Sequence, residues 1–422
     1  MAAYKIITGD VLAELKKLSS DHFDAVLSDP PYGINFMGRE WDKGVPSAEV
    51  YSELNRVLKP GAFGLHFGGT RMWHRLAVNL EDGGFEIRDT LMWLYGSGFP
   101  KSHNLGKALD KKAGATRKIV SRNPNSRENC DKSNTLYESG TVGKTAYITE
   151  AATEDAKLWE GYGTALKPAW EPCILAQKPL DGTYANNAIT HHCGALNIGE
   201  CRVGTDDTRS KASLTALGQG SGWNAHNNRE VIAGSASGRW PANLILDEEA
   251  GEILDAQSGI SKSRKNPGTG RKLDTQKMGW GFKSMPEGFE DKGGASRFFY
   301  CPKVSTAERN AGLDINFKEK TTQKYGSIRQ NRGAGYAEES KAKNPHPTLK
   351  PLALTEYLAR LLLPPKQKGK TRRILVPFSG AGSEMIGCLK AGWDEVWGIE
   401  LSDEYVDIAH ARIAHHTKAK KL

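Results

Sequence analysis

Ala25-Val26-Leu27-Ser28-Asp29-Pro30-Pro31-Tyr32 decides how this chain is read. The first half is a short apolar run suited to a buried strand, and the second half joins an acceptor, a rigid turn and an aromatic plate. Two prolines fix φ and carry no N–H, so the Pro30 carbonyl is turned outward as an acceptor beside the Asp29 carboxylate. An exocyclic amine can donate one hydrogen to each. Tyr32 adds a flat face on which a planar base can stack after leaving a duplex. The plainer alternative is a strand-ending turn with a surface tyrosine, and four residues alone do not separate the two.

Around this stretch, short apolar runs alternate with amphipathic segments, as in an α/β layer. Lys5-Ile6-Ile7 predicts a strand leading to Gly9-Asp10, and 11–18 a helix with Leu12, Leu15 and Leu18 on one face. A helix over 52–58 is expected to stop at Pro60-Gly61, followed by a strand over 62–67. A helix over 73–80 and a strand over 86–94 complete the run. From about Gly96 to Ala165 apolar anchors thin out, which predicts an insertion or long loop. Cys173-Ile174-Leu175-Ala176 then reads as a returning strand that pairs with the 91–94 strand across that insertion. The stretch 182–340 is Gly-rich and basic with short apolar runs such as 243–246 and 298–300, and is read as a separate binding region. Within it, Arg239-Trp240-Pro241 reads as a packing anchor. Regular order returns with a helix over 352–363, a strand over 374–376, a helix over 384–391, a strand over 396–399 and a helix over 404–414.

In that last part, Phe378-Ser379-Gly380-Ala381-Gly382-Ser383 follows a strand and opens a helix, where glycines allow a tight turn and close approach of a ligand to the backbone. Glu400 stands eighteen residues past Gly382, at the end of the next strand. A carboxylate there can accept from two ribose hydroxyls. No third glycine completes a dinucleotide pattern and no Gly-Lys-Ser phosphate loop occurs, so a nucleoside without phosphates fits better than NAD or ATP.

Together these residues resemble the amino-group DNA methyltransferases that use S-adenosylmethionine, in their permuted beta group, where Asp-Pro-Pro-Tyr comes first and the Phe-x-Gly-x-Gly loop last. The resemblance implies a Rossmann-like class I α/β fold, with a mostly parallel sheet, one antiparallel strand and an irregular target-recognition region. Asp29, Pro30, Pro31 and Tyr32 are then catalytic, and Phe378, Gly380, Gly382 and Glu400 hold the cofactor. Gly9-Asp10 matches the acidic position that holds the cofactor's adenine, and His346-Pro347-Thr348-Leu349-Lys350-Pro351 is similar to the family segment bordering its methionine moiety. His346, Thr348 and Lys350 join the cofactor set on that ground. Many members have Asp before the Pro-Phe of the loop, and this chain has Val376. Trp93 to Asn104 resembles a segment of phage and prophage members, and Trp170-Glu171-Pro172 the start of their following strand.

The resemblance implies transfer of a methyl group to adenine N6 in double-stranded DNA. Cytosine N4 is the rival amine, but the family usually has Ser at the Asp29 position for it. An RNA or protein amine and a catalytically silent DNA-binding protein are further alternatives. The implied domain division is 1–100 and 341–422 as the catalytic and cofactor halves, 101–165 as a basic insertion, 166–181 as the returning strand and 182–340 as the target-recognition region.

Composition agrees with a polyanionic partner. The chain has 422 residues, 38% hydrophobic, with a net charge of +9 and a pI near 9.0, enough to bury a core in two or three units. Residues 101–130 hold eight Lys/Arg against two acids, and 261–280 six against one, so phosphate contacts are expected there. No apolar stretch approaches the ~20 residues that cross a bilayer. Six cysteines without a Cys-x-x-Cys pair suggest free thiols in a reducing compartment, and the resemblance implies the cytoplasm of a bacterial or phage-infected cell. The spacing of His191, His192, Cys193 and Cys201 fits no standard zinc site. A homodimer and a restriction endonuclease partner are compatible with the family, and the residues decide neither.

Overall fold

A computed structural model describes residues 2–34, 42–96, 98, 102–122, 147–204, 238–262, 291–302, 308, 310–313, 320–324, 338–342, 344, 346 and 349–422. They fall into two compact units, one of residues 1–94, 171–312 and 348–422, the other of 95–170 and 313–347. Along the chain come β1 (Ala3–Thr8), α1 (Val11–Leu15), β2 (Phe23–Ser28), α2 (Ala48–Val57), β3 (Leu58–Phe67), α3 (Trp73–Asp82) and β4 (Glu86–Leu94). Next are α4 (Leu105–Lys112), β5 (Lys118–Arg122), β6 (Tyr147–Glu150), α5 (Glu154–Leu158), β7 (Trp170–Gln177), α6 (Tyr184–Thr190), β8 (Leu244–Leu246) and α7 (Glu248–Ser258). The short pieces β9 (Ser261–Lys262), β10 (Lys292–Gly293), β11 (Lys320–Lys324) and β12 (Glu338–Ala342) precede the last block. That block is α8 (Leu352–Leu362), β13 (Arg373–Pro377), α9 (Ser383–Ala391), β14 (Glu395–Glu400), α10 (Asp403–His416) and β15 (Lys420–Lys421).

The larger unit is built on one sheet in the order β15-β1-β14-β13-β2-β3-β7-β4-β8. From β15 to β3 every pair is parallel, and β7 runs antiparallel to β3. Both faces are covered, which is why the strands read as unbroken apolar runs. Ala25, Leu27, Ile374, Val376, Cys173 and Leu175 face one apolar cluster under α8 and α9. Their neighbours Val26, Leu375, Ile174 and Ala176 face the other, under α1, α2 and α3. This is the period-two alternation of strand side chains. In α2, Val50, Tyr51, Leu54 and Val57 form the buried stripe, the spacing of a helix lying on a sheet. The α/β class, mostly parallel with one antiparallel strand, is the one the sequence implied.

Three features differ from expectation. β3 starts at Leu58 and runs through Pro60-Gly61, where a stop was expected. The turn signal is instead a bulge: Gly61 has φ +74°, Gln177 donates to its carbonyl at 2.9 Å and Asn187 donates to the Pro60 carbonyl at 2.9 Å. The described part of 101–165 is folded, with α4, α5 and a β5–β6 hairpin, and is not a loop. Its organiser is a buried charge. Asp110 accepts from the Ala152 and Thr153 N–H groups, the Thr153 hydroxyl and Arg117 at 2.8–3.1 Å. Burial opposes that charge, but the donors outweigh it and hold the carboxyl down at about 2.

The third difference concerns 182–340. Its described residues up to Gly312 belong to the larger unit, where β8 extends the sheet by pairing with Met92 to Leu94 and Tyr300 stacks on Tyr357 at 3.8 Å. The short apolar runs at 243–246 and 298–300 are therefore attachments to that unit. Arg239 is anchored on buried Asp291 as expected, whereas Trp240 is exposed, with Arg202 over its ring. Segments 205–237 and 263–290 lie outside the described residues. No helix among those described is long and apolar enough to cross a membrane, and the five described cysteines are free.

Candidate functional site

Parallel pairing brings the C-terminal ends of β1, β14, β13, β2 and β3 to one edge of the sheet. Leu375 pairs with Val26 and Pro377 with Ile399, so carrying the register forward sets Phe378 between Asp29 and Glu400. Adjacent strands lie about 5 Å apart, which separates the Asp29 and Glu400 backbones by roughly 10 Å. On one side of this point the chain runs from β13 to β14, and on the other from β2 to β3. Such a reversal opens the crevice where α/β sheets bind ligands.

The loop from β13 into α9 turns through three left-handed residues, Phe378 (φ +59°), Gly380 (+50°) and Gly382 (+80°). At Phe378 this conformation costs of order 1–3 kcal/mol. Its ring packs on the second apolar cluster and the Ser379 N–H donates to the Ile399 carbonyl at 2.9 Å, which hold it. Gly382 has no alternative, since a Cβ there would stand 3.0 Å from that of Ala409. Glu400 accepts from the Gly380 N–H at 2.8 Å and the Ser402 N–H at 2.9 Å. Burial pushes its carboxyl up and these donors partly offset the shift. Buried Arg412 braces the loop by donating to the Ala381 carbonyl and the Ser383 hydroxyl. Asp10, at the end of neighbouring β1, caps α1 by accepting from the Ala13 N–H at 3.0 Å. Val376 is fully buried in the first apolar cluster.

At the other end of the edge, Lys350 donates to Asp29 Oδ2 at 2.7 Å and to the Tyr32 hydroxyl at 3.0 Å. The Tyr32 hydroxyl lies 2.9 Å from Asp29 Oδ1 and 3.0 Å from Glu171 Oε2. Burial first, then the carboxylates Asp29 and Glu171, raise its pKa well above the usual phenol value, so it keeps its proton. Burial disfavours the Lys350 ammonium, but Asp29 and Glu171 outweigh that and raise its pKa. It also lies 4.7 Å from the Phe67 ring centre. Glu384, in the first turn of α9, is buried, and burial together with Asp29 pushes its carboxyl up to about 7 despite Lys350.

Asp29, Tyr32 and Lys350 therefore come together, as do Phe378, Gly380, Gly382 and Glu400, with Asp10 on the adjoining strand end. Pro30 is buried and Pro31 half-buried where the chain leaves β2. Lys350, expected beside a methionine moiety, donates to Asp29. His346 belongs to the smaller unit, where its N–H donates to the Asn344 side chain, and Thr348 lies outside the described residues. Sequence reading did not find Glu171 or Glu384 as site residues. The signal for Glu171 was there: an antiparallel strand delivers its first residues, not its last, to this edge.

The shifted carboxyl gives a stability prediction. Burial raises the folded Glu384 carboxyl from an ordinary 4.5 to about 7, so between those values the native state binds more protons than the unfolded one. Stability then falls as pH rises through that window. Glu384→Gln is expected to stabilise the fold far more at pH 8 than at pH 5. Urea unfolding at both pH values measures this, and an equal effect at each would exclude the shift.

No family model matches the chain. Over 238 residues it is 24% identical to the type II methyltransferase M.HindIII of Haemophilus influenzae, which covers 46% of this chain and 64% of that protein. The match thus spans less than two thirds of that relative. Among solved structures, the M1.HpyAVI–SAM complex aligns over 97% of this chain and 99% of its own, at 14% identity and a TM-score of 0.34. The PvuII DNA methyltransferase (cytosine-N4-specific) aligns over 97% and 88%, at 13% identity and a TM-score of 0.38.

Proposed function

We propose that the chain is a site-specific DNA methyltransferase that moves the methyl group of S-adenosylmethionine to the N6 amine of adenine in duplex DNA. The observation that carries this reading is the register of β2, β13 and β14, which sets Asp29, the Phe378–Ser383 loop and Glu400 side by side on one edge. The similarity to a type II methyltransferase supports it.

S-adenosylmethionine, when bound, supplies a methyl group activated by a sulfonium. The residues present fit it. Glu400 has acceptor capacity left after its two backbone bonds, which suits ribose hydroxyls, and Asp10 stands at the next strand end for the adenine. Burial holds the Glu384 carboxyl back from ionising, and a cation beside it would favour the carboxylate, which suits the cationic end. Phe378, Gly380 and Gly382 shape the turn against which the nucleoside lies, and His346 and Thr348 are assigned to the same set by resemblance.

An adenine amine is a poor nucleophile because its lone pair is delocalised into the ring. Asp29 and the Pro30 carbonyl accept its two hydrogens and draw the nitrogen toward tetrahedral geometry. The nitrogen pair then forms the N–C bond as the C–S pair returns to sulfur, and the surplus proton on nitrogen passes to Asp29 and on to solvent. Positioning and electrostatics supply the acceleration. The base must leave the duplex to reach this edge, and Tyr32 receives its face. Asp29, in place of the serine usual for cytosine N4, favours adenine. The basic stretches of 101–130 and 261–280 are assigned to phosphates and the 182–340 region to sequence reading; Arg117 is excluded, being paired with Asp110 and Glu160.

Methylation-aware sequencing of DNA from cells expressing the protein tests the proposal. N6-methyladenine in one short sequence motif is expected. N4-methylcytosine would move the substrate to the other amine, and unmodified DNA would remove the reading.

A further inference from the structure

The catalytic end of the edge holds more carboxylate than the proposed reaction uses. Lys350 is 5% exposed, Asp29 15% and Glu171 25% by side chain, so one ammonium is shared by two carboxylates, with buried Glu384 acting on it as well. Glu171 lies within reach of both hydroxyl and ammonium, 3.0 Å from the Tyr32 oxygen and 3.4 Å from Lys350 Nζ. It arrives there because β7 is antiparallel: Cys173 pairs with Phe67 at the end of β3, which puts Glu171 just beyond the sheet edge.

The Tyr32 hydroxyl has one proton and two carboxylates within donating distance. It can serve Asp29 or Glu171, not both. With hydroxyl and ammonium on Asp29, both oxygens of that carboxylate are engaged and its attraction for a target amine is weakened by the cation 2.7 Å away. With both donors turned to Glu171, Asp29 is free to accept the amine.

We propose that Glu171 is a positioning residue for methyl transfer, which draws the Lys350 ammonium and the Tyr32 hydroxyl away from Asp29 when the target amine arrives. The inference rests on the methyltransferase reading. Its role is exercised through Lys350 and Tyr32, without contact to the methyl donor.

The test uses the full-length wild type, Glu171→Gln, Glu171→Asp, Lys350→Met and the Glu171→Gln/Lys350→Met double variant. Transfer from methyl-labelled S-adenosylmethionine to unmethylated genomic DNA is followed in single-turnover and steady-state kinetics. Glu171→Gln is expected to lower the transfer rate by about a hundredfold, with KM for cofactor and DNA unchanged, and Glu171→Asp to recover much of the loss. In the Lys350→Met background Glu171→Gln should cost far less, because only the Tyr32 hydroxyl is left for it to hold. Wild-type rates in Glu171→Gln, a loss confined to KM, or equal fold-losses in both backgrounds would overturn the inference. If Lys350→Met does not fold, the kcat-against-KM split and the rescue by Glu171→Asp decide. A wild type that transfers no label would overturn the methyltransferase reading instead, so the two failures are distinguishable.

Discussion

Asp29→Ala is expected to slow methyl transfer by about a thousandfold while S-adenosylmethionine binding persists. Asp29 directly follows β2, whereas the residues proposed to hold the cofactor lie at the ends of β13, β14 and β1, so removing the carboxylate leaves the other strand ends in place. Glu171 remains to neutralise Lys350, which keeps the variant folded. Asp29→Asn is the sharper control. Lys350 would claim the amide oxygen, as it claims Oδ2 now, and the amide NH2 would then face the target amine, donor against donor. Both variants should therefore fail in catalysis and bind cofactor normally, as calorimetric titration and single-turnover assays would measure. Full activity in Asp29→Ala would refute the assignment.

Lys350→Met is expected to cause the largest loss of stability, about 3–5 kcal/mol at pH 8. The lysine is buried among Asp29, Glu171 and Glu384, and without it Asp29 and Glu171 lose the ammonium that balances them, while Arg412 still acts on Glu384. Protonation relieves that imbalance, so the native variant takes up protons more readily than its unfolded chain and the deficit shrinks as pH falls toward 5. Urea unfolding of wild type and variant at the two pH values checks both size and sign. A loss below about 1 kcal/mol, typical of an exposed ion pair, or an equal loss at each pH would contradict the picture.

The parallel sheet and the grouping of the candidate site residues on one edge were legible because their signals are local. Apolar runs mark the strands, Asp29-Pro30-Pro31-Tyr32 and Phe378 to Gly382 follow two of them directly, and Glu400 closes the next. What was not legible depends on strand direction and burial. Lys350 stood out in sequence, but its partner Asp29 lies more than three hundred residues away and is fixed only by the sheet. Glu171 was missed although an antiparallel strand was expected, because its place follows from which end of β7 reaches the edge. Asp110 was hidden because a buried carboxylate organises its neighbourhood where apolar side chains were sought, so a folded insertion could be read as a long loop. Glu384 looked like a first-turn helix carboxylate, but α9 is buried nearly all round.

The central claim is that one sheet edge holds a methyl donor against a purine amine gripped at Asp29. Incubating the full-length protein with unmethylated genomic DNA and methyl-labelled S-adenosylmethionine, then digesting the DNA and separating the nucleosides, tests it most directly. The account predicts label in N6-methyldeoxyadenosine with wild type and none above background with Asp29→Ala. Label that persists in the variant, or DNA that stays unlabelled although the wild type binds the cofactor, would contradict it.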